Sequence, residues 1–394
     1  MGILDGLKVI DAASFIAGPT AATIMGDFGA DVIKVEPPAG DGYRRLLGLP
    51  GFPTADVDWQ WQLDNRNKLG LALDLGDDAD RSVLLRLVEQ ADVLVVNHPL
   101  PVRRKLRLTW DDMAPLNPRL IYASLTGFGE AGPESDGPGF DLSTYWARSG
   151  LMDQVRPDMD GPPASSVAGQ GDHPTGVALF GAIMLALYER QSTGRGRHVQ
   201  SSLIANGLWS NACLAQAALA SAHMPRRRPR NDPYSALVNS YRARDGKWFI
   251  ISALEPERDW QRLLRVIEHP GLADDPRFAT IEARRESAGA LTTLLDDIFL
   301  EKDWADWRGR FEAERLPVGP VHSPEDAVAD HQVRPSSSVR AASPDALMRE
   351  VIDTPLWLEG VDKRAAGPAP ALDEHGVRIR AALDGGRSPW LEDG

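Results

Sequence analysis

A single carboxylate on a glycine-rich turn is the residue of this sequence whose type and surroundings best suit chemistry. The turn is Gly169–Gly176, with the sequence GQGDHPTG, and Asp172 lies at its centre. An apolar helical run follows from Val177 to Tyr188, so Asp172 lies where a helix opens. Two interpretations stay open. Asp172 caps the helix by accepting N–H groups of the first turn, or the glycines hold it exposed and it works as a nucleophile.

Attack by a carboxylate suits an activated acyl group. It gives an acyl anhydride and splits a group transfer into two steps, and N–H groups of a glycine-rich turn stabilise the oxyanion that develops. The substrate then has to arrive as a thioester or a similarly activated acid. Motifs of other chemistries are missing from the sequence: it has no HExxH, no paired cysteines, no GxSxG and no Walker motif, and its eight histidines are scattered. No metal site is predicted.

Length and composition exclude several classes of protein. With 394 residues the chain is too long for one ordinary core, so two domains are expected. A net charge of −13 disfavours nucleic acid as a partner but allows small anionic ligands, which need only a local basic pocket. The single cysteine, Cys213, excludes an internal disulfide framework. No apolar run reaches membrane-spanning length and the N-terminus lacks a signal-peptide pattern, so we expect a cytoplasmic protein without a membrane partner.

Strands and helices alternate through the first third of the chain, and they are the elements that must position a site. Five apolar runs predict strands, at Leu7–Asp11, Ala30–Glu36, Leu69–Leu75, Asp92–Asn97 and Leu120–Ser124. Predicted helices, such as Thr20–Phe28 and Asp78–Gln90, separate them. This alternation predicts an α/β fold with an open, Rossmann-like parallel sheet. Because GxGxxG is absent after the first strand, a nicotinamide cofactor is not expected.

Ligands of such sheets bind at the carboxyl ends of the strands. Five basic side chains are predicted to lie near this edge: Arg66, Lys68, Arg103, Arg104 and Lys105. As a set in an acidic protein, they indicate a site for a phosphorylated ligand, and coenzyme A is a phosphate-rich carrier of thioesters. Taken singly, each has the alternative of an ordinary solvated charge.

The second half of the chain changes in composition at the basic, proline-broken segment Met224–Arg230. Before it, Ile204–Ala222 is predicted to be one apolar helix. After it, Tyr241–Ala253 predicts a hairpin that turns at Asp245-Gly246, and three amphipathic helices follow. The predicted domains are a large domain over 1–223, a linker over 224–240, a small α+β domain over 241–320, and a linker and tail over 321–394 that return to the large domain.

Several segments, each weak alone, together resemble one family. They are LDGLKVIDAASFIAGPTAATIMGDFGADVIKVE, NRNK followed by LALDL, ADVLVVN, LNPRLIYASLTGFGEAGP, the turn at Gly171–Gly176, ALYERQSTGRGRHVQSSL and LPVGPVHSPEDAVAD. In this order the chain resembles the class III CoA-transferases, which include formyl-CoA transferase, carnitine CoA-transferase and a racemising branch. The resemblance implies that Asp172 is the nucleophile, that acyl-CoA and a carboxylic acid are the substrates without a permanent cofactor, and that two copies form an interlocked homodimer.

The family's CoA contacts are carried over to nine positions of this chain. They are Ile16, Ala17, Leu73, Asn97, His98, Lys105, Gly139, Phe140 and Asp141. Two departures put the adenine and phosphate contacts in doubt. Pro37 stands where the family often has an arginine, and Gly76 stands where it has a lysine.

Two alternatives to CoA transfer are kept open. The racemising branch carries a histidine before the aspartate of a GHD motif, but this chain has Phe140 there, which cannot move a proton. Ser252–Pro256 resembles a racemase segment, so Glu255 is a candidate for a second acid or base. The other alternative is a CoA-ester-binding protein without catalysis. Two interpretations are open for three tryptophans, Trp59, Trp61 and Trp146. They line a pocket for a bulky acid, or they pack in the core, as large aromatic side chains more often do.

Overall fold

The structure, a computed structural model, describes residues 2–158, 160–167 and 169–390. Two predicted segments therefore extend beyond it: the large domain begins at residue 1, and the tail ends with 391–394. The chain forms two compact units. The first comprises Met1–Gln154, Ser165–Ala220 and Arg334–Gly394, and the second comprises Val155–Ala164 and Ser221–Val333, apart from the residues just excluded.

Strands and helices alternate in the first unit as predicted. Its strands are β1 (Lys8–Ala12), β2 (Asp31–Glu36), β3 (Lys68–Ala72), β4 (Val93–Val96), β5 (Ile121–Thr126), β6 (His198–Ser202), β10 (Val339–Ala341) and β11 (Glu350–Ile352). Its helices are α1 (Ala17–Asp27), α2 (Trp59–Asn65), α3 (Asp78–Val88), α4 (Leu100–Leu106), α5 (Trp110–Met113), α6 (Leu151–Gln154), α7 (Asp172–Thr193), α8 (Leu203–Ser210), α9 (Ala212–Leu219) and α15 (Gly376–Asp384). A 3₁₀ helix over Gly42–Gly48 and a π-helical segment over Asp141–Ala147 complete it.

The sheet of the first unit confirms the α/β prediction. In the described residues it has six parallel strands in the order β3-β2-β1-β4-β5-β6. The direction of winding reverses between β1 and β4, where Ala12 pairs with Val96. The crevice at such a switch point, beyond the carboxyl ends of the strands, is the usual ligand site of open α/β sheets. The loops after β1 and β4 therefore define where to look for a site.

Apolar cores lie on both faces of this sheet. On one face α1 and α7 pack together, with Ala21, Met25, Leu179 and Ile183 fully buried. A side chain at Gly176 would meet the carbonyl oxygen of Ala17 and the side chain of Thr20, so this glycine lets the two helices approach closely. The opposite face carries α3 and α15. The packing of α1 against α7 brings the start of α7 to the sheet edge.

Three of the five basic residues predicted to bind phosphate are instead buried in ion pairs, so that prediction is wrong for them. Arg66 pairs with Asp27 at 2.7 Å, Lys68 pairs with Asp11 at 2.8 Å, and Arg103 pairs with Glu130 at 2.7 Å. The physical reason is that a buried cation requires an anionic partner, and each of these cations has one within the fold. Arg104 and Lys105 are exposed on α4.

The C-terminal segment lies against the start of β3 and against α2. The N–H of Asn67 donates to the carbonyl oxygen of Pro368 (3.2 Å), and the N–H of Gly70 donates to Nδ1 of His375 (3.1 Å). The indole N–H of Trp61 donates to the carbonyl oxygen of Pro370 (2.9 Å). These bonds place residues 367–384 in the first unit.

The second unit has its own sheet and core. Its elements are β7 (Val238–Arg242), β8 (Trp248–Ser252), β9 (Val318–Pro320), α10 (Pro256–Ile267), α11 (Ile281–Glu286), α12 (Ala288–Phe299), α13 (Trp304–Glu314) and α14 (Pro324–Ala329). β7, β8 and β9 form an antiparallel sheet, and the predicted hairpin is β7–β8. Aromatic rings fill the core, with Phe249 stacked on Trp304 at 5.0 Å. The domain boundaries stay a prediction, although β7 already begins inside the segment 224–240.

The apolar run Ile204–Ala222 is two helices rather than the single helix predicted. α8 ends at Ser210 and α9 begins at Ala212. Between them, the backbone of Asn211 leaves the helical conformation (φ −96°, ψ 17°), and its side-chain amide donates to the carbonyl oxygen of Ser149 (3.0 Å), which lies in a distant segment of the chain. Among the described residues, no helix has both the length and the apolar character needed to span a membrane.

Candidate active site

Asp172 is the first residue of α7, at the end of a turn built by glycines. Gly169 has a φ of +91°, a conformation that L side chains rarely adopt. A side chain at Gly171 would collide with the ring of Tyr145 and the carboxylate of Asp141. The helix N-cap is Gly171, and within the described residues the carboxylate of Asp172 has no hydrogen-bond partner. The cap interpretation of Asp172 is therefore not what the structure shows.

Asp141 holds the turn from one side. Its two carboxylate oxygens accept the N–H of Gly171 at 3.2 and 3.1 Å. This N–H belongs to the residue directly before Asp172, so the bond fixes the backbone that carries the candidate nucleophile. Asp141 is buried, and burial raises the pKa of its carboxyl group.

His173 holds the turn from the other side. Its Nδ1 lies 3.0 Å from the carbonyl oxygen of Gly169, and its Nε2 lies 3.0 Å from Oδ1 of Asp64. Both partners are acceptors, so both ring nitrogens donate, which requires the imidazolium form. The pKa of His173 is raised to about 9, against burial, chiefly by the charge of Asp64 and the hydrogen bond to it. His173 is thus a fixed positive charge beside Asp172 at neutral pH.

Asp64 connects this clamp to the rest of the first unit. It is buried at the end of α2, and it accepts hydrogen bonds from the hydroxyls of Thr20 (3.1 Å) and Tyr43 (2.9 Å) as well as from His173. Three helical segments are therefore tied to the turn through one carboxylate. A buried polar group with all its partners present holds a local geometry rigidly.

The electrostatics around Asp172 disfavour its charge. Burial raises the pKa of Asp172 to about 7, and the charges of Asp141 and Asp64 add to this effect, whereas the charge of His173 opposes it. At neutral pH the group is therefore close to half ionised. A carboxylate that is poorly solvated and makes no hydrogen bond is a better nucleophile than a solvated one.

A cavity of about 540 Å³ opens beside Asp172 at the switch point between β1 and β4. It is lined from β1 and its following loop by Ser14–Ala17, from the loop after β4 by residues 97–99, and from the end of β5 by residues 125–127. The segment before the π-helix and Asp172 itself close it. Seven of the nine predicted CoA contacts line this cavity: Ile16, Ala17, Asn97, His98, Gly139, Phe140 and Asp141.

The other two predicted contacts lie elsewhere. The side chain of Leu73 is buried in the core behind the sheet, and its N–H donates to the carbonyl oxygen of Glu36 (2.9 Å). Lys105 is exposed on α4 and does not line the cavity. Neither residue lines the cavity beside Asp172.

Two polar residues of the cavity wall differ in how much bonding capacity they keep. Both polar atoms of the Asn97 side-chain amide bond to the backbone of Ser14: Oδ1 accepts the N–H (2.8 Å) and Nδ2 donates to the carbonyl oxygen (2.7 Å). Asn97 therefore fixes the loop after β1. His98 keeps a buried Nδ1 without a partner among the described residues, and its pKa is lowered by burial and by the charges of Lys34 and Arg103. His98 is neutral at pH 7.

The remaining sequence-predicted candidates do not line this cavity. Trp61 is buried, and Trp59 and Trp146 are half-buried, so their ordinary packing interpretation holds within the described residues. Glu255 belongs to the second unit, where it is exposed and pairs with Arg258 at 2.7 Å. No group of three or more potential metal ligands occurs in the described part of the chain.

Asp64 and His173 are the site residues that sequence reasoning missed. His173 directly follows the candidate nucleophile, and a charged ring at that position was a usable signal. Asp64 is far from it in sequence, next to the NRNK segment, and nothing local marks it. Asp141 was expected to contact CoA, whereas the structure gives its carboxylate to the turn.

The comparisons with known proteins agree with this fold. The family described as CoA-transferase family III matches residues 4–376. A curated relative, (R)-2-hydroxy-4-methylpentanoate CoA-transferase of Clostridioides difficile, is 30% identical and covers 97% of this chain and 95% of its own. Acetyl-CoA:oxalate CoA-transferase of Acetobacter aceti is 34% identical, with 96% and 95% covered.

A solved structure agrees across almost the whole chain. The crystal structure of a CaiB/BaiF family protein from Brucella suis superposes with a TM-score of 0.86 at 32% identity, covering 97% of this chain and all of that one. The chain belongs to CoA-transferase family III.

Proposed function

We propose that this enzyme moves CoA from an acyl-CoA donor to a free carboxylic acid, with Asp172 as the covalent nucleophile. One observation carries the proposal: a carboxylate without a hydrogen-bond partner, with a pKa of about 7, faces a cavity of about 540 Å³ from a turn clamped on both sides. Ordinary surface carboxylates ionise near pH 4. This environment destabilises the ionised carboxylate of Asp172. The destabilisation is relieved when Asp172 becomes part of an uncharged anhydride or thioester.

The first half of the reaction removes CoA from the donor. An oxygen of Asp172 attacks the thioester carbonyl carbon, the carbon–sulfur bond breaks, and CoA thiolate leaves a mixed anhydride. The thiolate then attacks Cγ of Asp172. The donor acid departs with an oxygen that came from Asp172, and an aspartyl-CoA thioester remains.

The second half repeats these steps in reverse order with the acceptor. An acceptor carboxylate attacks Cγ of the thioester and expels CoA thiolate, which gives a second mixed anhydride. The thiolate attacks the acceptor carbonyl carbon, and acyl-CoA leaves. Asp172 is restored as a carboxylate that now contains one oxygen from the acceptor. No oxidant, reductant or permanent cofactor enters the balance.

The clamps give Asp141 and His173 positioning roles in this reaction. Asp141 fixes the N–H of Gly171, and His173 bridges Gly169 and Asp64. Holding the attacking oxygen in place removes much of the entropic barrier to attack. The positive His173 also favours the ionised form of Asp172, the form that attacks.

The residues that line the cavity are the proposed contacts of the CoA ester near its thioester end. Ile16, Ala17, Gly139 and Phe140 supply backbone and apolar surface there. The cavity wall has no lysine or arginine among the described residues to bind the phosphate groups of CoA. The exposed Arg104 and Lys105 on α4 remain the candidates for binding them.

The homodimer, and its interlocked form, belongs to the same proposal. In the first unit, α7, α8 and α9 carry large apolar side chains that are mostly exposed: Leu185, Tyr188, Trp209 and Leu219. Exposed apolar surface of this kind is typical of a protein–protein interface. The cytoplasmic location stays a prediction from the sequence.

Racemisation at the α-carbon is less well supported than transfer. It needs two acid or base groups on opposite sides of that carbon. In the cavity, Phe140 occupies the family's histidine position and Asp141 is engaged by Gly171. A non-catalytic binding protein does not account for a clamped carboxylate with a raised pKa.

The pH dependence of isotope exchange tests the proposal. In this assay an acyl-CoA exchanges with its own labelled acid, and kcat/KM for the acyl-CoA reports groups of the free enzyme. Because Asp172 attacks as a carboxylate and its pKa is about 7, we expect kcat/KM to rise about tenfold per pH unit below pH 7 and then to level off. Above pH 9 it should fall as His173 loses its charge.

The control variant for this profile is His173→Gln, which keeps one donor but has no charge to lose. We expect it to abolish the fall above pH 9 and to move the acidic limb to higher pH. A wild-type profile that is flat between pH 5 and 8 would rule out Asp172 as the group that must ionise.

A further inference from the structure

The cavity beside Asp172 has an apolar wall that the chemistry of the carboxylate does not use. Six large apolar side chains form it: Phe15, Leu46, Leu49, Phe52, Phe140 and Leu142. The rings of Phe15 and Phe140 meet edge to face at 5.9 Å between centroids. Three of these side chains are substantially exposed, Leu49 at 45%, Phe140 at 59% and Leu142 at 41%. Apolar surface concentrated in a binding cavity marks the part of a ligand that is apolar.

The same cavity lacks a cation. Among the described residues that line it there is no lysine or arginine, and its two carboxylates are Asp141 and Asp172. Its histidine, His98, is neutral because burial and neighbouring cations lower its pKa. Two basic residues of the surrounding elements are paired elsewhere: Lys34 with Asp41 (3.2 Å), and Arg44 with Glu36 (2.7 Å). Arg45, on the same 3₁₀ helix as Arg44, is exposed and does not line the cavity.

From this wall and this absence of positive charge we infer that the acyl groups handled at Asp172 are uncharged and apolar beyond their reacting carboxyl group. Branched aliphatic and aryl monocarboxylic acids fit this description, and dicarboxylic acids do not. The inference rests on the proposed function, because it assigns the acyl group to the cavity that Asp172 faces. It specifies one substrate class within a family whose relatives are named for both. One relative is named for a branched acid, (R)-2-hydroxy-4-methylpentanoate, and another for two dicarboxylic acids, succinate and glutarate.

The physical basis is the desolvation of the second charge. A dicarboxylate that reacts at Asp172 has to bring its far carboxylate against this wall, where it loses part of its hydration. There it meets apolar side chains and no counter-ion, and burial of an unpaired charge is strongly unfavourable. An isopropyl or phenyl group in the same place covers Leu49, Phe140 and Leu142 instead. The wall thus selects both for apolar acids and against charged ones.

Two matched pairs of acids test the inference. 4-Methylpentanoate has the shape of succinate with an isopropyl group in place of one carboxylate, and 5-methylhexanoate is related to glutarate in the same way. For each acid, kcat/KM is measured in exchange between the acid and its own CoA ester. We expect the branched acid of each pair to exceed its dicarboxylate partner by at least about 10²-fold.

A variant of the wall adds a direct test of charge. Leu49→Arg places a cation at an exposed position that carries no part of the turn or its clamps. We expect Leu49→Arg to lower the ratio of kcat/KM for 4-methylpentanoate to kcat/KM for succinate at least tenfold, by raising succinate exchange and lowering 4-methylpentanoate exchange. Leu49→Gln is the matched control, since it is polar and similar in size but uncharged, and it should leave succinate exchange low.

The outcomes separate the inference from the function on which it rests. Equal or faster exchange of the dicarboxylates by the wild-type enzyme, dependent on Asp172, overturns the inference and leaves the proposed function standing. If the wild-type enzyme exchanges none of the four acids, the inference is also overturned. Exchange that persists undiminished in Asp172→Ala overturns the proposed function and the inference with it. A preference that Leu49→Arg leaves unchanged contradicts the assignment of the wall to the acyl group.

Discussion

Asp172→Asn should lower the exchange rate between an acyl-CoA and its acid by at least about 10⁴-fold while the protein stays folded. Asparagine has nearly the same shape and fits the same turn, but its amide cannot form the anhydride. The carboxylate makes no hydrogen bond among the described residues, so the substitution removes none. The loss should therefore appear in kcat rather than in binding of the CoA ester, which isothermal titration measures separately.

The same substitution should stabilise the protein at alkaline pH. The folded-state pKa of Asp172, about 7, lies above its ordinary value of 3.8, so the folded state holds the proton more tightly than the unfolded state. That contribution to stability is complete below about pH 4 and is lost as pH rises through 7. Asparagine has no proton to lose. We expect Asp172→Asn to exceed the wild type by about 1–3 kcal/mol in free energy of unfolding at pH 8, and not at pH 4.

A matched control is Asp306→Asn, which changes an exposed aspartate in the first turn of another helix, α13. It should leave both the exchange rate and the pH dependence of unfolding as in the wild type. Asp172→Asn with more than a tenth of wild-type exchange, or with lower stability at pH 8, would contradict the account of this residue as a strained nucleophile.

Asp27→Ala should cause the largest loss of stability among simple substitutions in the first unit. Asp27 is fully buried at the end of α1, and its carboxylate accepts Nε and Nη2 of Arg66 (3.0 and 2.7 Å) and Nη2 of Arg340 (2.8 Å). Removal leaves Arg66, which is itself buried, without its counter-ion. Breaking a buried pair from one side costs about 3–5 kcal/mol. Urea unfolding monitored by tryptophan fluorescence measures it.

The control for this prediction is an exposed pair of the same type. Asp384 pairs with Arg86 at 2.8 Å, and its side chain is 74% exposed. Asp384→Ala should change the free energy of unfolding by less than about 1 kcal/mol, since surface pairs contribute little. If Asp27→Ala were as mild as Asp384→Ala, the joining of residues 27, 66 and 340 through one carboxylate would not be a main support of this unit.

The fold of the first unit was largely predictable because its signals are local. Most of the buried parallel strands are short apolar runs, such as Val93–Val96, and some of the helices between them begin with a capping side chain, such as Asp77 before α3. The alternation of elements predicted a parallel sheet but not the order of its strands. The break at Asn211 was missed because it depends on a bond to Ser149, which is distant in sequence.

The sequence predicted the candidate nucleophile of the site but not the residues that hold it in place. Asp172 stood out because glycines surround it, and the cavity lies at the sheet edge where parallel strands place their ligands. The partners of Arg66, Lys68 and Arg103 could not be foreseen, because each pair joins residues of separate elements. For the same reason Asp64 was missed: its three hydrogen bonds exist only after α1, α2, α7 and the 3₁₀ helix have packed.

The most direct test of the central claim follows one oxygen atom. A single turnover is run with an acceptor acid whose carboxylate carries ¹⁸O, and the peptide containing Asp172 is then weighed by mass spectrometry. If Asp172 forms both anhydrides, one ¹⁸O ends on its carboxylate and the peptide gains about 2 Da. If the acceptor instead attacks the donor directly, ¹⁸O appears in the released donor acid and the peptide stays unlabelled, which would contradict covalent catalysis by Asp172.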